Sequence, residues 1–73
     1  MKKVLKNNLK KMRFAKNMMT QAQLAEKIDV SRQTIIAIEQ GKFNPSVKLS
    51  LNLAALFECR VEDIFYLKME DTK

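Results

Sequence analysis

Arg32 and Gln33 open a segment in which Ile35 and Ile38 recur three apart, the spacing of one buried helix face. With the two isoleucines inward, Arg32, Gln33, Ile36, Ala37 and Gln40 lie outward. An arginine offers two parallel donors that match O6 and N7 of guanine, a glutamine matches N6 and N7 of adenine, and small or branched apolar side chains meet a thymine methyl. This set suits the reading of base edges in a major groove. On an isolated surface helix the same residues would be ordinary solvated polarity, so the surrounding elements decide between the two readings.

Other chemistries are poorly supplied. The 73 residues contain no His and one Cys, which excludes a zinc-type ligand set and an intramolecular disulfide, so no metal or cofactor is expected. Cys59 has no base near it in sequence and reads as a small apolar residue close to a helix end, in keeping with a reducing compartment. The acids Glu58, Glu62 and Asp63 lack a partner base or a Gly-rich phosphate loop, so the chain is not expected to be an enzyme. Lys2, Lys3 and Lys6 resemble the start of a signal peptide, but Lys and Asn return before an apolar stretch develops. No segment approaches the roughly 18 apolar residues of a membrane span, and a cytoplasmic, nucleoid-associated protein without a membrane partner is expected.

The elements that would position Arg32 and Gln33 are marked by caps. Asn7 or Asn8 starts a first helix to about Asn17, with Leu9, Met12 and Ala15 on one face and Lys10, Lys11 and Lys16 towards water. Thr20 and Gln23 form a capping box, and Met19 and Leu24 occupy the staple positions of a second helix that buries Leu24, Ala25 and Ile28. Asp29-Val30-Ser31 breaks that pattern; Ser31 caps a third helix, with Val30 facing Ile35 as a second staple. Gly41, the one glycine, sits where this helix should end in a left-handed residue. After the loop Lys42-Phe43-Asn44-Pro45, Ser46 caps a fourth helix to about Phe57. Its apolar positions spread over roughly 220° at about 100° per residue, more than one core needs. The excess, chiefly Leu49 and Leu56, is either a subunit contact or taken up by a small core wrapped by several helices. Val61 to Ile64 makes a short fifth turn, and Phe65-Tyr66-Leu67 reads as an extended piece suited to pairing with Lys3-Val4-Leu5.

Charge is unevenly distributed over this frame. Residues 1–48 carry 11 basic and 3 acidic side chains, net +8, whereas residues 49–73 carry 3 basic and 5 acidic, net −2. The basic half is either a solvated face or the side that meets a polyanion. Five aromatics, mostly needed for a core, leave no stacking platform for RNA.

The run Thr20-Gln21-Ala22-Gln23-Leu24-Ala25-Glu26-Lys27-Ile28, followed by Val30-Ser31-Arg32-Gln33-Thr34-Ile35, Ile38-Glu39, Gly41-Lys42 and Asn44-Pro45-Ser46, resembles the phage repressor and Cro type helix-turn-helix family. It is most similar to the short, stand-alone bacterial members that end in a segment such as Val61-Glu62-Asp63-Ile64-Phe65. The resemblance covers about Asn8 to Phe65. It implies an all-α, five-helix helix-turn-helix domain over residues 1–68, with the small terminal strand pair added and 69–73 as a polar tail. Residues 31–40 would be the recognition helix, with Arg32, Gln33, Ile36 and Ala37 towards bases. By the same resemblance Gln21, Ser31, Gln40, Lys42, Asn44 and Arg13 would face phosphates, Gln21 through its amide and the neighbouring helix-end N–H groups. Arg13 and Glu39 are similar to a pair that joins the first and third helices. The segment Phe14-Ala15-Lys16-Asn17-Met18-Met19 is one residue longer than is usual in the family, an insertion that the turn between the first two helices should absorb.

The expected function is sequence-specific binding of double-stranded DNA as a homodimeric transcriptional regulator, reading palindromic half-sites about one helical turn apart. Leu49, Leu56, Ile64, Phe65, Tyr66 and Leu67 are the expected dimer residues. The rival is an antitoxin-like or other protein-binding module in which contact with DNA is secondary.

Overall fold

Each of the three helices that carry or support Arg32 starts at a hydroxyl that accepts an otherwise unpaired amide. In the computed structural model, which describes residues 2–70, Thr20 Oγ1 accepts the Gln23 N–H at 3.0 Å while Gln23 Oε1 accepts the Thr20 N–H at 2.9 Å. Ser31 Oγ accepts from Thr34 N–H and Ser46 Oγ from Leu49 N–H, both at 3.1 Å. These caps open α2 (Gln21–Lys27), α3 (Arg32–Glu39) and α4 (Val47–Leu56). They are preceded by α1 (Leu9–Ala15) and followed by the single turn of α5 (Val61–Ile64).

Helix ends are equally well defined. At the end of α3, Gly41 has φ +75°, and its N–H and that of Lys42 bond back to Ile38 and Ala37, the two hydrogen bonds of a Schellman motif. Helices α2 and α4 close in the same way through Asp29 and Glu58, at φ 59° and 54°, neither of them glycine. Helix α1 stops at Ala15, two residues before Asn17. Asn17 and Met18 are both left-handed, at φ 57° and 54°, and the Met18 and Met19 N–H groups bond to Phe14 and Arg13 carbonyls. The longer connection is thus taken up as a double left-handed turn that returns Met19 to the core.

The chain is not all-α. The termini form an antiparallel ribbon of β1 (Lys2–Asn7) and β2 (Phe65–Glu70), with Leu5 opposite Leu67 and Asn7 opposite Phe65. It is longer than the Lys3–Leu5 and Phe65–Leu67 pairing expected, and it takes in Lys68, Met69 and Glu70, expected to lie in or beside a polar tail. The reason is the two-residue period of a strand: Phe65, Leu67 and Met69 share one face, and Lys68 and Glu70 are merely the other. Residues 71–73 of that expected tail lie outside the described residues. Asn7 ties the ribbon to the helices, its Nδ2 donating to the Ile38 carbonyl at 2.9 Å and its Oδ1 accepting the Leu9 N–H at 3.1 Å. Asn7 therefore caps α1 from one position ahead of Asn8, whose own N–H and Nδ2 bond to the Ile64 and Asp63 carbonyls.

One core joins these pieces: Leu9, Met19, Leu24, Ala25, Ile35, Ile38, Leu53, Ala54, Ile64 and Phe65. Several expected positions are exchanged. Ala15 is exposed, because Arg13 rather than Ala15 follows Leu9 on the inward stripe of α1. Lys16 does not reach into solvent; its Nζ donates to the Leu56 carbonyl at 3.1 Å, closing the end of α4. On α4 the core takes up Leu49 and Leu56, and the surplus apolar surface is instead Val47 and Leu51, 77% and 56% exposed.

Glu58 sits in a left-handed conformation that costs an L-residue on the order of 1 kcal/mol, with its side chain exposed. Glu58→Gly should stabilise the protein by about 0.5 to 1 kcal/mol, the gain trimmed by the flexibility glycine adds to the unfolded chain. A thermal melt should rise by a few degrees, and an unchanged or lower midpoint would show that Glu58 is not strained.

Candidate nucleic-acid interface

The Schellman turn through Asp29 and Val30 reverses the chain within three residues and sets α3 against α2. Ile35 and Ile38 point into the core, both at most 1% exposed, which fixes the rotation of α3 about its axis. Arg32 and Gln33 consequently stand in solvent at its first turn, Ile36 and Ala37 are half-buried one turn further on, and Gln40 is exposed at its end.

What holds α3 in place from the other side is a buried ion pair. Arg13 Nε and Nη2 donate to the two carboxylate oxygens of Glu39 at 2.6 and 3.0 Å, and Nη1 donates to the Met19 carbonyl at 2.7 Å. Their side chains are only 5% and 8% exposed. Glu39 Oε1 also accepts from Gln21 Nε2 at 3.1 Å, and Gln21 Oε1 lies 3.5 Å from Arg32 Nη2. A continuous polar chain therefore runs from Arg13 on α1 through Glu39 to Gln21 on α2 and out to Arg32. No buried side-chain polar atom among the described residues lacks a partner.

This arrangement alters the reading of three residues. Arg13 is 4% exposed and commits three N–H groups within the chain; its geometry is that of a strut between α1 and α3, and a role on phosphate does not fit it. Ser31 Oγ is engaged by Thr34, both as the cap and in a 2.9 Å bond with Thr34 Oγ1, so it too is committed internally. Gln21 gives one amide hydrogen to Glu39 and keeps the second for an external acceptor. Lys42 and Asn44, in the loop after Gly41, are exposed, with Phe43 47% exposed between them. The link from Glu39 to Arg32 through Gln21 escaped sequence reasoning, because the three positions share no periodicity and meet only when α2 and α3 are packed.

The expected dimer residues divide as well. Ile64 and Phe65 are 0% and 8% exposed in the chain's own core, and Leu49 and Leu56 pack against it. Tyr66 and Leu67 remain exposed at 42% and 62%, joined on the ribbon by Met69 at 48%. Cys59 is half-buried beside the same core; burial first and the Asp63 carboxylate second push its thiol pKa up, which disfavours the thiolate. Among the described residues no group of His, Cys, Asp and Glu side chains converges on a metal-sized site, and no helix is long and apolar enough to cross a membrane.

A helix-turn-helix family profile matches residues 9–64, most of the chain. The protein belongs to the Cro and repressor type helix-turn-helix family. This is a family of transcription regulators, not of enzymes. An uncharacterized HTH-type transcriptional regulator of Methanocaldococcus jannaschii is 54% identical over 61 residues, covering 84% of this chain and 91% of its own. One from Archaeoglobus fulgidus is 46% identical over 57 residues, 78% of this chain and 81% of the relative. The Bacillus subtilis HTH-type regulator YgzD is 39% identical over 67 residues, 92% of this chain and all of its own. The chain's similarity is therefore to archaeal as well as bacterial proteins.

Removing one partner of the buried pair leaves the other as an uncompensated charge, which costs about 3 to 5 kcal/mol. Glu39→Ala should therefore remove most of the stability of so small a helix-turn-helix domain. Denaturant unfolding checks this, and a loss under about 1 kcal/mol would mean that the pair is dispensable to the fold.

Proposed function

We propose that this helix-turn-helix protein is a sequence-specific regulator of transcription that acts in the cytoplasm on double-stranded DNA, with residues 31–40 entering the major groove. The observation that carries the reading is the pair Arg32 and Gln33, exposed together at the capped start of α3, on a helix whose rotation is fixed by Ile35 and Ile38 and whose position is fixed by Glu39. A base-reading side chain must be carried on a rigid element, and α3, the helix that carries Arg32, is fixed in rotation and position. Arg32 and Gln33 supply hydrogen bonds to bases, and the half-buried Ile36 and Ala37 supply an apolar contact one turn on. Gln21 flanks the start of α3, and Gln40, Lys42 and Asn44 flank its end, with polar and basic groups suited to phosphates.

The decisive comparison is binding to a duplex from the protein's own upstream region against a shuffled duplex at physiological salt. A gap of about a thousandfold supports a site-specific factor; equal, weak binding to both overturns the reading for that region and favours a protein partner. Within a specific complex, Gln33→Ala should cost on the order of 1 to 3 kcal/mol at one base position. Lys42→Ala should weaken all sequences alike and reduce the salt slope by about one unit. Equal losses on specific and random DNA for Gln33→Ala would make it a backbone contact.

A single short recognition helix supplies little affinity or specificity alone, so the protein acts as a homodimer on palindromic half-sites. With Ile64 and Phe65 in the core, the residues offered to a second copy are Leu67 and Met69 on one face of the ribbon, with Tyr66 exposed on its other face and Val47 and Leu51 the further exposed apolar residues on α4. Sedimentation should give a dimer at micromolar concentration, and Leu67→Lys should shift it towards monomer; a monomer at high micromolar concentration removes this part of the proposal.

A further inference from the structure

Asn7 stands where β1, β2, α1 and α3 meet. It ends β1 opposite Phe65 at the start of β2. Its Oδ1 accepts the Leu9 N–H at 3.1 Å, a bond local to the start of α1, while its Nδ2 donates at 2.9 Å to the carbonyl of Ile38 in the last turn of α3. That carbonyl also accepts the Gly41 N–H at 3.0 Å, so both of its lone pairs are engaged. Two donors thus hold the turn that carries Gln40 and leads to Lys42. Elsewhere the ribbon and the end of α3 do not close on each other: an open cleft of about 280 Å³ is lined by Val4, Lys6 and Tyr66 from the ribbon and by Glu39, Gln40 and Gly41 from the end of α3. Among the described residues no other hydrogen bond or ion pair joins either strand to α3.

We propose that Asn7 is a positioning residue through which assembly of a second copy on the ribbon is felt at the end of α3 that meets DNA. The inference rests on the homodimeric regulator reading above and adds a means of regulation to it. Two strands alone are marginal in water, so the ribbon gains from any cover on its apolar face. Leu67 and Met69 are exposed on the face that Asn7 and Phe65 share. A second copy on that face stabilises the closed ribbon, and the closed ribbon is the state in which Asn7 reaches Ile38. Linkage makes the effect reciprocal: DNA held at Gln40 and Lys42 favours the closed ribbon and tightens the dimer. The side chain suits this role. Its local bond to Leu9 needs only an acceptor, which Ser or Asp also supplies, whereas the bond to Ile38 needs a donor on the same side chain, and an amide has one atom for each partner. Asn8 carries no such link, since its N–H and Nδ2 go to the Ile64 and Asp63 carbonyls.

The test is a double-mutant cycle on a duplex with one half-site, which a dimer cannot engage with both protomers, so bivalency contributes nothing. Affinities of the dimer and of its Leu67→Lys monomer are compared with and without Asn7→Ser. The dimer-to-monomer ratio, counted per protomer, should be smaller by roughly fivefold in the Asn7→Ser background; the charge that Leu67→Lys adds is common to both backgrounds and cancels. Asn7→Asp, which keeps the acceptor and lacks the donor, should act the same way. Asn8→Ser should leave the ratio unchanged even where it lowers the melting temperature. In the unaltered protein, amide exchange at Gly41 and Lys42 should slow as concentration carries it from monomer to dimer, a measurement that needs no variant. Equal ratios with Asn7 and with Asn7→Ser, the same reduction by Asn8→Ser, or exchange indifferent to assembly would make Asn7 a structural residue only, and would overturn the coupling while the dimer and regulator readings stood. A monomer at high micromolar concentration, or equal binding to the specific and a shuffled half-site, would remove those readings and this one with them.

Discussion

The position of α3 depends on a carboxylate and a guanidinium kept out of water. Bringing Arg13 and Glu39 under the surface costs several kcal/mol per ion in lost hydration, and the structure offsets this by pairing them through two parallel bonds and by giving each a further partner, the Met19 carbonyl for Arg13 and the Gln21 amide for Glu39. An apolar contact in the same place would tolerate sliding and rotation of one helix on the other. Two parallel hydrogen bonds between planar groups do not, so the pair fixes distance and orientation together. The side chains that face solvent on α3 inherit that precision.

The same pair explains the form of the α1–α2 connection. Arg13 must face α3 while Met19 packs into the core and presents its carbonyl to the Arg13 guanidinium, within six residues of chain. The double left-handed turn at Asn17 and Met18 meets both demands, at the cost of unfavourable backbone at Met18. Asparagine tolerates that region well and methionine does not, so part of the stability gained at Arg13 is returned in the turn that serves it.

Beside the end of α3 the ribbon takes up what the core leaves over. Two strands alone are marginal in water, and this pair is held by Asn7, which bonds to the end of α3, and by Asn8, which bonds to α5. The ribbon thereby ties the end of α3 to both terminal strands. Its apolar positions beyond Phe65 cover no part of the chain's own core, while the basic half of the sequence supplies Lys10, Arg32 and Lys42 around the start and end of α3. Exposed apolar surface and exposed basic surface are thus carried by different elements.

Helix starts, the turn at Gly41 and the outward set from Arg32 to Gln40 were legible in the sequence because each depends on residues within four positions of one another: a hydroxyl and the amide three residues on, a glycine and the carbonyls just behind it, two isoleucines three apart. The pairing of Arg13 with Glu39 was legible through resemblance alone, since nothing local links positions 26 apart. Tertiary structure decided which apolar residues were spare. Angular position on single helices leaves Leu49 and Leu56 open between a partner and the core and places Ala15 inward, but whether a face is covered depends on the elements that pack over it, and α5 and β2 arrive from the far end of the chain. The engagement of Gln21 between Glu39 and Arg32 is likewise a product of α2 and α3 meeting, for which local sequence carries no signal.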